Sequence, residues 1–165
     1  MPSSAEILRY IEAALAPLVQ GNGGECDVAA DEDTAIGMLM TAPRSWRVVL
    51  QYDGRGTQEN SQIALSPWKF VAWVQAAKGL PVKAGSDVHQ ARAGGAPPML
   101  DLVDAVEGWI LALAFTIPGI QCPGARSTGS QWATLESDRT RQHRLSFELL
   151  AELPRYPKFH PPASV

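Results

Sequence analysis

The chain has 165 residues, long enough to form one domain and to bury roughly two thirds of its unfolded surface without a covalent staple. Hydrophobic residues make up 45% and charged residues 19%, the balance of an ordinary globular protein, and a formal charge of -3 gives no electrostatic reason to seek nucleic acid or an anionic membrane. Cys26 and Cys122 lie far apart with no CxxC spacing, which points to two reduced thiols and to folding in the cytoplasm.

Met1 to Leu8 shows no basic region followed by an apolar stretch, so no secretory signal is expected there. The longest apolar run, Trp109 to Phe115, falls well short of the ~20 residues a membrane-spanning helix needs.

Ser3 followed by Glu6 forms a capping box, and Ile7, Leu8, Ile11, Leu15 and Leu18 recur at helical spacing, which predicts a first helix from about Ser4 to Val19. Gly21, Asn22, Gly23 and Gly24 end it, because glycine and asparagine tolerate the left-handed backbone at a helix C-terminus. In Glu25 to Thr41, Cys26, Val28 and Ala30 alternate and then Asp31, Glu32 and Asp33 intervene. The segment reads as a short strand, an acidic turn and a second short strand or helical turn.

Trp46, Val48, Leu50 and Tyr52 alternate with Arg47, Val49, Gln51 and Asp53, the period of a half-buried strand that Asp53 to Gly56 ends. A second strand follows the polar stretch Thr57 to Gln62. It has Trp68, Phe70, Ala72, Val74 and Ala76 on one face, Val71 and Trp73 on the other, and Pro67 at its entry or on an edge. Trp73 has no evident place in a one-sided core, and interfaces enrich tryptophan, so it is a candidate contact residue. Gly79 to Pro98 is rich in Gly, Ala and Pro and lacks periodicity, which predicts a long exposed loop of the kind that often carries function.

Met99, Leu102, Val103, Val106, Ile110 and Leu113 form one continuous stripe on a helix, the face that would cover a sheet. Asp101, Asp104 and Glu107 hold the opposite face of its first half, whereas Trp109 to Phe115 is apolar on every side and is expected to be buried all round. That end therefore predicts contact with something besides its own sheet, such as another subunit, with Trp109 and Phe115 as interface residues. Pro118 to Gly129 reads as a second loop. Gln131 to Ser137 and Gln142 to Leu153 read as paired strands about the turn Asp138 to Arg141, with His143, Leu145, Phe147, Leu149, Ala151 and Leu153 facing inward. Pro154 to Val165, with four prolines, predicts an extended tail. The reading is a single α+β domain over 1–153 followed by the tail at 154–165. Its sheet, mixed or antiparallel and of about four to six strands, packs against an N-terminal helix and one central helix.

Catalytic signatures are weak. Ser66 and Lys69 match SxxK, but that pairing works on a helix and these residues open a strand. Gly124, Ser127 and Gly129 have GxxSxG spacing where a nucleophile elbow needs GxSxG. His89, His143 and His160 have no histidine or cysteine at metal-ligand spacing, and Asp31 to Asp33 lacks the glycine and distal glutamate of a calcium loop. No phosphate-cradling glycine motif occurs, so neither a cofactor nor a metal site is assigned. Arg139, Arg141, His143 and Arg144 form the one basic cluster, a solvated hairpin turn or a patch for phosphate or an acidic protein surface, and no aromatic stacking platform favours nucleic acid.

An initial amphipathic helix, a strand group, a long irregular loop, one central helix and a closing hairpin with a long last strand: this order resembles the tail terminator or tail completion proteins of tailed bacteriophages. The segments that carry it are AEILRYIEAALAPL, WRVVLQY, KFVAWVQA, MLDLVDAVEGWILAL and RQHRLSFELLAEL. Asp31 to Asp33 and the proline-rich tail have no counterpart in that pattern.

The resemblance implies a structural protein without an active site or cofactor. It would form a hexameric ring on the tail tube, stop tube growth and join tail to head, with itself, the tail tube protein and the head–tail connector as partners. It also implies a place in the virion tail, reached from the host cytoplasm during assembly. In such a ring Arg139, Arg141 and Arg144 would meet the acidic turn Asp31 to Asp33 of a neighbouring copy, so that glutamate at Arg139 and Arg141 would slow assembly and leave the fold intact. The competing reading is a small cytoplasmic enzyme or ligand-binding domain with 79–98 as a lid and His89 or His143 as general base.

Overall fold

Ser3 opens the first helix as its sequence predicts: its hydroxyl accepts from the Glu6 N–H at 3.2 Å while its own N–H donates to Glu6 Oε2 at 2.6 Å. The computed structural model describes residues 3–55, 65–78, 85–92, 96–114, 117, 125–133 and 140–152. In chain order the elements are α1 (Ser4–Gly21), β1 (Gly24–Ala29), α2 (Glu32–Leu39), β2 (Trp46–Arg55), β3 (Leu65–Ala77), a 3-10 turn (Ser86–Val88), α3 (Met99–Ala114), β4 (Ala125–Ala133) and β5 (Thr140–Glu152).

The strands form one five-stranded sheet in the order β1-β2-β3-β5-β4, with β1 parallel to β2 and every other neighbour antiparallel. This is an α+β fold with a mixed sheet. The parallel pair arises because α2 carries the chain from β1 back to the start of β2, the crossover that parallel neighbours require.

Alternation divides the sheet into two faces. Trp46, Val48, Leu50, Trp68, Phe70, Ala72, Val74, Leu145, Phe147 and Leu149 are buried on one, beneath Ile7, Ile11, Leu15 and Val19 of α1 and Met99, Leu102, Val103, Val106 and Ile110 of α3. Stacked rings run through this core, with Phe70 and Phe147 centroids 5.1 Å apart. The opposite face carries a smaller core in which Ala35 and Leu39 of α2 cover Ala29, Val49, Val71 and Trp73. Sequence periodicity does not reveal this second layer, because α2 is only eight residues long.

The acidic run is therefore neither a turn nor a loop. The Asp31 side chain accepts from the Thr34 N–H at 2.7 Å as the N-cap of α2, and Glu32 and Asp33 lie in the first turn, where the helix dipole favours negative charge. At the other end Arg47 Nη1 donates to the Met38 carbonyl at 2.6 Å and Gln75 Nε2 to the Leu39 carbonyl at 2.5 Å, satisfying orphan groups of the last turn. Gly23, at φ +79°, turns the chain from α1 into β1, and the Trp46 indole donates to the Asn22 carbonyl at 3.0 Å to hold that turn against the core.

β3 begins at Leu65, and among the described residues the β2 ladder reaches Trp68 while Pro67 pairs with Leu150 of β5. β4 starts at Ala125, inside the stretch read as loop. Phe115, Arg139, the first two residues of the expected turn Asp138 to Arg141, the polar stretch Thr57 to Gln62, and the residues after Glu152 lie outside the described residues, whereas Thr140 and Arg141 open β5 and are not turn residues.

Candidate functional site

Arg141 and Arg144 of the expected cluster do not share a face. Strand alternation places Arg141 opposite Ala76 on the α1/α3 face and Arg144 opposite Trp73 on the α2 face. Arg141 Nε donates to Asp87 Oδ2 at 2.5 Å and Nη2 to Oδ1 at 3.1 Å, a bidentate pair in which the carboxylate is 2% exposed. Arg141 is thus committed within its own chain.

Arg92 stands beside this pair. Its guanidinium donates to the Ala77 and Pro97 carbonyls, each at 2.7 Å, and to Ser45 at 3.5 Å. Burial pushes its pKa below the ordinary arginine value, and the field of Asp87 opposes that shift. Ser86, Asp87 and Arg92 are all buried, so the described part of the predicted loop is pinned to the end of β2 and β3. This corrects the expected exposed loop at Ser86, Asp87 and Arg92, while His89, Gln90, Ala91 and Pro97 are exposed.

Trp73 is 3% exposed and belongs to the second core, so it presents no surface to a partner. Its indole donates to Gln51 Oε1 at 2.9 Å, and Arg144 lies over the ring at 5.5 Å from the centroid. Arg144 also donates to Ser146 Oγ at 2.8 Å and approaches Asp53 Oδ2 at 4.0 Å. Trp109 is half-buried with its ring 6.5 Å from that of Trp46. The end of α3 is not buried all round, since Leu111 and Leu113 are half-buried and Ala112 is exposed. The stripe faces the sheet, and among the described residues of these last turns Gly108 and Ala112 are exposed.

Among the histidines, His89 is exposed, His143 is 6% exposed and His160 lies outside the described residues. The Trp132 ring meets His143 edge-on, centroids 4.8 Å apart, and Nδ1 has no hydrogen-bond partner among the described residues. Burial lowers the imidazole pKa below 6.5, opposed by Glu107 and Asp104 of α3. Burial, together with Glu12 and Asp27, pushes the Cys26 thiol up to about 12, which makes it a poor nucleophile. Ser66 and Lys69 lie three residues apart on β3, a strand and not the helix that SxxK spacing needs. Among the described residues no group of three or more His, Cys, Asp or Glu could hold a metal ion, and no helix is long and apolar enough to cross a membrane.

The least covered element is β4, an end strand in which every residue from Arg126 to Trp132 is exposed. Trp132 is 45% exposed, and the sequence signal for it was available: a lone tryptophan in a run of Ser, Thr, Gly and Gln. Arg126, at the other end of the strand, has its side chain 73% exposed and pairs with Glu148 at 3.1 Å. The candidate functional surface is therefore the β4 edge with the exposed residues in the last turns of α3. Comparison of the chain with protein-family models and with curated proteins finds no match.

Proposed function

We propose that this chain is a structural assembly protein of a tailed bacteriophage or prophage, a tail terminator that forms a ring on the end of the tail tube, stops tail growth and supports head–tail joining. The observation that carries the reading is the order of elements: an amphipathic first helix, paired strands β2 and β3, an irregular connection, the central α3 and a closing hairpin whose last strand has 13 residues. The exposed β4 edge supports it, because a ring needs surfaces that recur from copy to copy.

In this reading the protein acts through surfaces and requires no cofactor. Its partners are further copies of itself, six in the ring that the resemblance implies, together with the tail tube protein and the head–tail connector. It works in the virion tail after assembly in the host cytoplasm. Light scattering with negative-stain imaging should show a ring, either alone or on tail tubes. A chain that stays strictly monomeric at high concentration and also fails to bind tail-tube protein would sink the proposal.

A further inference from the structure

We propose that β4 is the docking strand for a second copy of this chain, which adds its β1 there, so that the sheet runs on from copy to copy. The partner rests on the assembly reading above; the surface rests on the two ends of the sheet.

Among the described residues the order β1-β2-β3-β5-β4 leaves β1 and β4 as its ends. An end strand presents unpaired N–H and C=O groups, and proteins that stay apart blunt such edges with brevity, charge, proline or a bulge. β1 is blunted: it has six residues, two of them Glu25 and Asp27, and Glu12 and the Asp31–Asp33 run lie near it. β4 is not. Its bulge lies between Ser127 and Gly129, and from Gly129 to Ala133 it carries no charge, no proline and an exposed tryptophan. Two β1 edges would repel each other through their carboxylates, whereas β4 has no carboxylate and one exposed cation, Arg126.

Strand direction selects the same pairing. β1 runs with β2, and the alternation through β3, β5 and β4 makes β4 run opposite to β1. Laying β1 of one copy on β4 of the next with matching faces therefore forms an antiparallel ladder, and each addition leaves one β1 and one β4 free. Such a head-to-tail contact can close into a ring, while pairing of β4 with β4 stops at a dimer.

Face matching restricts the register. Ser130 and Trp132 share the face of Cys26 and Val28, and Gln131 and Ala133 share that of Glu25 and Asp27. Setting Gly129 against Ala29 puts Gln131 opposite Asp27 and Trp132 opposite Cys26. It also carries Arg126, beyond the bulge, to Asp31 and the acidic first turn of α2.

The test is a directed cross-link in the full chain carrying Cys122→Ser. Mixing the Gln131→Cys and Asp27→Cys variants under mild oxidation should give a covalent dimer that neither variant gives alone. Separately, Ser130→Lys should weaken self-association in light scattering by 10-fold or more while leaving the circular dichroism spectrum unchanged. The proposal is overturned if Gln131→Cys chains link mainly to one another, if Ser130→Lys associates like the parent, or if the chain stays monomeric and unlinked at its highest soluble concentration. Self-association that ignores the β4 variants leaves the ring reading standing. A β4–β1 cross-link in assemblies that fail to bind tail-tube protein removes the tail reading and keeps this one.

Discussion

Replacing Arg141 with alanine should destabilise the fold, because it leaves the Asp87 carboxylate, 2% exposed, without its bidentate partner. Removing one partner of a buried pair costs about 3–5 kcal/mol. Two features move the figure to the low end: the Arg141 side chain is itself 28% exposed, and Asp87 still interacts with the buried Arg92. We expect about 2–3 kcal/mol, which for a chain of this size lowers Tm by about 6–9 °C. Urea unfolding of Arg141→Ala, Asp87→Ala and the double variant forms a closed cycle. The double variant should be less unstable than the two single losses added together, by about 1–2 kcal/mol. Arg141→Glu should be worse than Arg141→Ala, since it sets two carboxylates together at a buried site. A glutamate at Arg141 is therefore a folding variant and not the clean assembly variant that the charge pattern of the sequence suggests. Losses below about 0.5 kcal/mol in both single variants would refute the reasoning, since that is what an ordinary surface arginine gives.

Gly24→Ala should lower Tm in thermal unfolding: its Cβ would stand 2.5 Å from Trp46 Cε2 and 2.7 Å from Val19 Cγ1, and overpacking of this kind costs about 1–3 kcal/mol. An unchanged Tm would show that the α1–β1 corner can shift freely. The folded pKa of His143 is lowered, so the unfolded chain takes up its proton first as pH falls. Stability from the neutral imidazole is then present above about 6.5 and is lost as pH falls through the folded value. His143→Phe should flatten that slope, and an NMR titration midpoint at or above 6.5 would contradict the assignment.

The elements legible in the sequence are those whose signal is local. The capping box of Ser3 and Glu6 and the stripe Ile7, Ile11, Leu15 specify α1 within a few turns, and the stripe from Met99 to Ile110 does the same for α3. In β2, β3 and β5 one buried apolar face imposes period two over long runs, so their inward residues could be read before any pairing was known. Asp31 carried the local signal for α2, a carboxylate three residues before the N–H it accepts from. That signal sits in an acidic run which also fits a solvated turn, and eight residues give too few turns for periodicity to choose between them.

Tertiary structure decided the rest. Trp73 is a core residue because α2 covers the second face of the sheet, a fact set by the β1–β2 crossover and not by anything near Trp73. Arg141 meets Asp87 across 54 residues of chain, and Arg144, three residues further on, faces the other way because a strand turns its side chains through two faces. Trp132 is exposed because β4 ends the sheet, which depends on β5 inserting between β3 and β4. Periodicity reports which face of an element is apolar; it does not report which element comes to lie on that face, because that choice depends on contacts between segments far apart in the chain.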